Sequence, residues 1–187
     1  MRIFENKLDR LVAVFGYNGA AAELVERGDV LWVGCVDYAA DNHGESDYAE
    51  TLRRYQQLAP TAGHGEYPNP DWSASLSLNY KRDDRPSGIF MGMEAGSGDF
   101  DARYDRFVQP GGLWLRIRND EAAARLLGKE KAMAYEYFAC GILDAIAKEN
   151  GYAQNPDVSV EIEYYSRDEY GSPDFASYAY IPVIKAF

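Results

Sequence analysis

The 187-residue chain is long enough to bury the core of one compact domain or of two tightly packed halves. Its net charge of −11 argues against a nucleic-acid binder, because such proteins neutralise phosphates with clustered Lys and Arg side chains. The most basic stretch, YKRDDR, cancels its own charge, so we expect no direct contact with nucleic acid.

Aromatic residues are more frequent than a core of this size usually needs, with 15 Tyr, 8 Phe and 3 Trp. Their flat faces stack on other rings and attract cations, so the excess fits either a binding surface or a tightly packed core. The acidic charge favours cationic ligands or basic protein partners. The chain has no signal-peptide pattern and no membrane-spanning run, and we interpret Cys35 and Cys140 as buried thiols in apolar helical segments. We therefore expect a cytoplasmic protein with no membrane association.

The first half, about residues 10–95, predicts the element order strand, helices, strand, strand. LVAVFG is a short strand, and the spacing of apolar residues over 20–40 predicts a helix, weakened by two glycines. SDYAETLRRYQQLA predicts a second helix with Ser46 as its N-cap and Tyr48 on its apolar stripe. Trp72 is assigned to a loop, and SASLSLNY and SGIFMGMEA are the two strands that follow.

The second half, about residues 105–187, predicts the same order. GLWLRIRN is a strand, and DEAAARLLG is a short helix that Asp120 caps and Gly128 ends. A longer helix is expected over 129–149, with Tyr135 among its apolar residues, before two C-terminal strands. The sequence thus predicts an α+β fold of duplicated βαββ units with antiparallel strands, a pseudo-two-fold axis, and one domain over 1–187.

The two C-terminal strands carry the most informative pattern. Val158, Val160, Ile162 and Tyr164 alternate with Ser159, Glu161, Glu163 and Tyr165, which places the second set on the other face of the strand. In the last strand, Tyr178 and Tyr180 alternate with Ala179, Ile181 and Val183, and Pro182 predicts an edge position or a bend. If the polar faces of both strands line one concavity, the site is acidic and aromatic.

Three segments together resemble the GyrI-like, or effector-binding, superfamily. IEYY followed by YIPV is similar to its C-terminal signature, and PGGLWLRIRN is similar to its PxGxYxxF strand with Trp114 at the tyrosine position. SGIFMGMEAG is similar to another of its strands, with Gly92 and Glu94 in place. The resemblance covers the chain from about Arg10 to its end.

The resemblance implies a ligand cleft between the two halves, with Glu163 at its floor facing the positive charge of drug-like cations. Physical reasoning agrees, because a carboxylate walled by rings stays ionised only if a cation or hydrogen-bond donors compensate for lost hydration. Glu161 is the alternative acid on the same face, and a solvent-exposed strand glutamate is the alternative interpretation. The ring candidates are Tyr165, Trp114, Tyr178, Tyr180 and Phe90. The tryptophan that many members carry before the end of the second-half helix is missing from DAIAKENGY, which leaves the ligand class open.

Three functions follow from these patterns. The first is a stand-alone binding protein for hydrophobic aromatic or cationic compounds. The second is a hydrolase of cyclopropane-bearing DNA-alkylating compounds, as in some GyrI-like proteins. Glu163 would be the general base, and the hydroxyl of Tyr165 or Tyr180 would donate a hydrogen bond to the carbonyl oxygen of the substrate. The third is a protein-interaction role of the gyrase-protecting type. The chain has no P-loop, G-x-S-x-G or HExxH motif, and we expect neither a metal nor a cofactor.

Overall fold

The computed structural model describes residues 5–39, 47–58, 65–79 and 84–186. The strands are β1 (Asp9–Tyr17), β2 (Ala20–Arg27), β3 (Val30–Tyr38), β4 (Trp72–Leu78), β5 (Gly88–Ala95), β6 (Asp105–Gln109), β7 (Gly112–Arg118), β8 (Tyr152–Gln154), β9 (Val160–Ser166) and β10 (Ser177–Lys185). The helices are α1 (Tyr48–Leu58), α2 (Glu121–Leu126), α3 (Glu136–Ala139) and α4 (Ile142–Glu149). Within the described residues, no helix is both long and apolar enough to cross a bilayer.

All ten strands join in one antiparallel sheet, in the order β1-β2-β7-β10-β9-β4-β5-β3-β6, with β8 paired to β10. The order β3-β5-β4 of the first half mirrors the order β7-β10-β9 of the second half about the β4–β9 pair. Each half has the order strand, helix, strand, strand, with the helices α2, α3 and α4 in the second half. The predicted α+β class with duplicated βαββ units is confirmed.

The two halves also exchange strands. β2 precedes β3 in the chain but pairs with β7, and β6 precedes β7 but pairs with β3. The two short connections meet, because the backbone N–H of Gly111 donates to Oδ1 of Asp29 over 2.7 Å. A Cβ at Gly111 would lie 2.7 Å from a backbone carbon of Gly28, so this contact requires glycine.

Several local predictions hold and others are wrong. Asp120 caps α2 by accepting the N–H of Ala123 over 2.9 Å, as predicted, and Gly128 follows its C-cap with φ +68°. The predicted helix over 20–40 is wrong: this segment forms β2 and β3. β3 is buried on both faces along most of its length, and in β2 the adjacent residues Leu24 and Val25 are both buried whereas Ala21 and Glu26 are exposed. Where adjacent side chains are both buried, the apolar residues do not alternate with a period of two, so such a segment cannot be distinguished from a buried helix by periodicity.

The helix predicted over 129–149 is also wrong in its extent, because Gly141, with φ +71°, separates α3 from α4. Trp72 begins β4 and is buried, and Cys140 is exposed whereas Cys35 is buried in a strand. Pro182 does not lie on an edge strand. It sits where β10 changes partner from β9 to β8, so its missing N–H interrupts no ladder on that side. The predicted cap Ser46 lies outside the described residues.

The sheet buries a different cluster on each face. On the inner face, rings from both halves pack together; the larger ones are Trp32, Trp72, Trp114, Tyr164, Tyr178, Tyr180 and Phe90. On the outer face, α2, α3 and α4 cover the second half, and α1 covers β3 and β5 of the first half. Period-two alternation explains the division, since successive side chains of one strand belong to opposite clusters.

A buried guanidinium lies at the centre of the inner cluster. Nε of Arg27 is 3.2 Å from Oδ1 of Asp9, and its Nη2 forms an ion pair with Glu94. Three aromatic rings surround the guanidinium at 5.7 to 6.0 Å from its carbon; they are Trp114, Tyr164 and Tyr180. Carboxylates and ring faces together compensate for the hydration that this cation loses.

Replacing Arg27 with Met should lower the free energy of unfolding by about 3–5 kcal/mol, because Asp9 and Glu94 would remain buried without their shared cation. Urea denaturation at pH 7 measures the change. Arg125→Met, on the exposed side of α2, is the control and should stay within about 0.5 kcal/mol of wild type. An Arg27→Met variant as stable as the control would show that the network contributes little.

Candidate functional site

On the outer face, the central strand pair β4–β9 lies between α1 on one side and α3 and α4 on the other, and it would be the floor of the cleft predicted between the halves. α1 packs on β3 and β5, whereas α3 packs on β10 and α4 on β7. The β9 side chains pointing outward are Glu161, Glu163 and Tyr165, and the β4 residues paired with them are Ser77, Ser75 and Ser73. Small side chains on one strand and carboxylates on the other make this floor polar between two apolar clusters.

Glu163 lies at the middle of the floor with only 6% of its surface exposed. The hydroxyl of Tyr165 donates to its Oε2, and the backbone of Tyr135 also hydrogen-bonds to the carboxyl group. Burial nevertheless raises the pKa of Glu163 to about 7, because loss of hydration outweighs these two hydrogen bonds. Within the described residues, no Lys or Arg lies close enough to lower that pKa.

Aromatic side chains from both halves surround the carboxyl group. Burial raises the pKa of Tyr48, the first residue of α1, and the nearby charge of Glu163 raises it further. Tyr48 and Tyr135 are 50% and 46% exposed. Phe175 stacks on Tyr165 with 6.4 Å between ring centres. The arrangement is a buried carboxyl group with aromatic side chains near it, and aromatic faces and carboxylates are both groups that attract organic cations.

The structure brings together only some of the predicted site residues. Glu163 and Tyr165 are in contact, and Glu161 lies one step along the same face, where Oε1 accepts a hydrogen bond from Gln154 over 3.0 Å. Trp114, Tyr178, Tyr180 and Phe90 lie on the inner face and are buried there.

The antiparallel register explains why the predicted concavity divides into two surfaces. Residue 179 pairs with Glu163, so Tyr178 and Tyr180 share the face of Tyr164 and not that of Glu163. Trp114 shares its face with Arg116, and that face is core, since Trp114 is buried there and Arg116 pairs with Asp9 at 2.9 Å.

Glu94 on the inner face is the opposite case to Glu163. Its carboxylate pairs with Arg27 and accepts hydrogen bonds from the amides of Asn6 and Asn69 and from the hydroxyl of Tyr164. This ion pair and these hydrogen bonds compensate the buried charge of Glu94 within the protein. The inner face is therefore filled, and the outer cleft holds the carboxyl group whose charge is not compensated by a described cation.

Sequence reasoning missed Tyr48, Tyr135 and Phe175. Both tyrosines were placed on apolar helical stripes, although Tyr48 directly follows Asp47, whose Oδ1 accepts the N–H of Glu50 and so marks the helix start. A first-turn residue lies at the helix end and faces the cleft mouth. Phe175 gave no signal, because its position depends on the loop between β9 and β10.

A second concavity of about 720 Å³ lies on the other side of Phe175, next to α2. Tyr170 and Phe175 line it together with exposed charges of both signs. Tyr170 packs edge-on against Phe175 with 5.2 Å between ring centres. None of the predicted ligand-binding residues lines this space. The described residues contain no group of three or more His, Cys, Asp and Glu side chains able to hold a metal ion.

No family model and no curated protein matches the sequence. Solved structures do match. SAV2435, solved bound to tetraphenylphosphonium, superposes with a TM-score of 0.58 at 10% identity over 87% of this chain and 93% of the other. The EcmrR C-terminal domain superposes with a TM-score of 0.55 at 15% identity, over 88% of this chain and 98% of the other. A structure from Staphylococcus aureus MU50 superposes with a TM-score of 0.59 at 12% identity, over 88% of this chain and 99% of the other.

The chain has the GyrI-like effector-binding fold. At these identities the match concerns the fold alone, and it covers nearly the whole of this chain and of each neighbour. In this GyrI-like fold the two halves meet at the β4–β9 pair, and Glu163 lies on the outer face of β9 at that junction.

Glu163→Gln should remove a pH dependence of stability. Because the folded pKa is about 7 and the unfolded value about 4.5, the folded state holds an extra proton between them. The contribution of Glu163 to the free energy of unfolding is fully present below pH 4.5 and is lost as pH rises through 7. The total loss is on the order of 3 kcal/mol. Denaturant titrations at pH 5 and pH 8 should show this loss in wild type and its absence in Glu163→Gln.

Glu121→Gln, at an exposed carboxylate of α2, is the matched control and should leave the wild-type pH dependence intact. Equal pH dependence in wild type and Glu163→Gln would mean that Glu163 is not desolvated as the structure describes.

Proposed function

We propose that this protein binds hydrophobic aromatic cations in the outer cleft, with Glu163 as the counter-ion. The observation that carries the proposal is a buried carboxyl group that lacks a described cationic partner and lies beneath exposed tyrosines from both halves. A cation entering there gains the charge of Glu163 and the faces of Tyr48 and Tyr135.

The contrast between two glutamates supports the choice of ligand charge. Glu94 is compensated by Arg27 inside an aromatic box, which shows how this chain stabilises a buried carboxylate. Glu163 has the aromatic side chains but not the cation. A ligand cation would complete the same set of interactions on the outer face.

The tetraphenylphosphonium bound to SAV2435 also supports the proposal, because it is a hydrophobic aromatic cation bound to a protein of this fold. Binding of such a cation would favour the ionised form of Glu163, and a proton would leave as the ligand enters. Affinity would then depend on pH.

Tetraphenylphosphonium should bind wild type more tightly as pH rises from 5.5 to 7.5, by on the order of tenfold, and the affinity should level off above the pKa of Glu163. Isothermal titration calorimetry measures this, and Glu163→Gln should bind at least tenfold more weakly at pH 7.5. Triphenylphosphine oxide, a neutral compound of similar shape, should show no such pH dependence. Absence of tetraphenylphosphonium binding to wild type would refute the proposal.

A second candidate function, hydrolysis of cyclopropane-bearing DNA-alkylating compounds, is favoured by the pKa of about 7 at Glu163. A general base works best when its pKa lies near the working pH. Glu163 would accept a proton from water attacking the strained ring. The hydroxyl of Tyr165 already donates to Glu163, so this chemistry needs that hydrogen bond to be exchanged for one to the substrate.

Incubating such a compound with wild type and with Glu163→Gln separates the two functions. Chromatography would show a water adduct formed only by wild type if the protein is a hydrolase. If both proteins bind the compound and neither forms the water adduct, only the binding function is supported. A role in masking a basic protein surface has the net charge of −11 as its support, and a salt-dependent pull-down tests it.

A further inference from the structure

Ser75 stands directly beside Glu163 on the cleft floor. It lies on β4, and the antiparallel register pairs it with Glu163 across the strand boundary between the two halves. Residues paired in this way have Cβ atoms about 5 Å apart and side chains on the same face. The serine hydroxyl and the carboxyl group therefore face the same space.

The hydroxyl of Ser75 is buried without a hydrogen bond. The residue is 3% exposed, and in the part of the chain that the structure describes no group donates to or accepts from Oγ. A buried hydroxyl that makes no hydrogen bond costs stability, so folded proteins seldom retain one without a use for it. Glu163, its neighbour, likewise lacks a described cationic partner.

The neighbours of Ser75 along the strand differ from it. Ser73 and Ser77 are only partly buried, and they pair with Tyr165 and Glu161. Among these three serines, Ser75 combines full burial with a position opposite the central acid. The hydroxyl and the carboxyl group together form a polar floor between the helices.

We propose that Ser75 is a specificity-determining residue of the cleft, and that the favoured ligands are aromatic cations carrying an N–H group near the positive charge. This inference rests on the proposed cation-binding function. Glu163 pairs with the charge while Oγ of Ser75 accepts a hydrogen bond from a second N–H about 5 Å away. A cation without N–H groups gains only the charge interaction and leaves the hydroxyl unpaired.

A matched pair of ligands tests this inference. Protonated 9-aminoacridine carries N–H donors, whereas 10-methylacridinium has a ring of similar size and the same charge without any. Both are titrated at pH 7.5 into wild type, Ser75→Ala and, as control, Ser97→Ala, at an exposed serine outside the floor. Wild type should prefer 9-aminoacridine, and Ser75→Ala should bind it about three- to tenfold more weakly.

The same substitution should leave 10-methylacridinium within twofold of wild type, and Ser97→Ala should change neither affinity. Ser75→Thr, which keeps the hydroxyl, should retain the preference. Ser75→Ala should melt at the wild-type temperature or above it, because the hydroxyl that it removes makes no hydrogen bond, so a loss of affinity would not reflect misfolding.

Two different failures can be told apart. If both ligands bind wild type and Ser75→Ala changes neither affinity, or both equally, the specificity role of Ser75 is wrong and the cation site stands. If wild type binds neither ligand, the proposed function is itself overturned and this inference falls with it.

Discussion

The buried guanidinium of Arg27 is the constraint on which the arrangement of this protein depends. A cation without exposed surface needs opposite charge and hydrogen-bond acceptors close to it, and Asp9, Glu94 and Tyr164 supply them from three other strands. These residues come from both halves, so the network ties the halves together across the inner face. Its guanidinium also occupies the space among the rings of Trp114, Tyr164 and Tyr180.

The exchange of strands between the halves extends the sheet on both sides of the β4–β9 pair. β2 adds to the sheet of the second half, where α2 contacts it, and β6 adds to the sheet of the first half. The β4–β9 pair at the junction is the place where the two sets of helices face each other. A cleft at such a junction takes its floor from one sheet and its walls from two units, so both halves contact whatever enters.

Two glutamates in one sheet show how the same residue type acquires different chemistry. Glu94 is held as a carboxylate by a cation and several donors. Glu163 has two hydrogen bonds against almost complete burial, and its pKa rises to about 7. The difference in compensation makes Glu94 a structural group, whereas the ionisation of Glu163 changes with pH near neutrality.

The accuracy of the sequence-based predictions differs from element to element. The alternation in β9 predicted that Glu161, Glu163 and Tyr165 share one face, because successive side chains of a strand point to opposite faces of the sheet. The α2 boundaries followed from Asp120 and Gly128, since caps act over a few residues. The helix expected over 20–40 was wrong because most of β3 is buried on both faces and the adjacent residues Leu24 and Val25 of β2 are both buried, so the apolar residues do not alternate with a period of two.

The sequence by itself determined the α+β class, the duplicated order of elements and the common face of Glu161, Glu163 and Tyr165. Tertiary structure alone decided that Tyr178, Tyr180 and Trp114 lie on the face of Arg27 and not on that of Glu163, and that Ser75, Tyr48 and Tyr135 lie near that acid. The physical reason is that the local sequence pattern fixes which residues of a strand share a face and where an element begins and ends. Which strands become neighbours, and in what register, is set by long-range pairing and by where buried charges find partners.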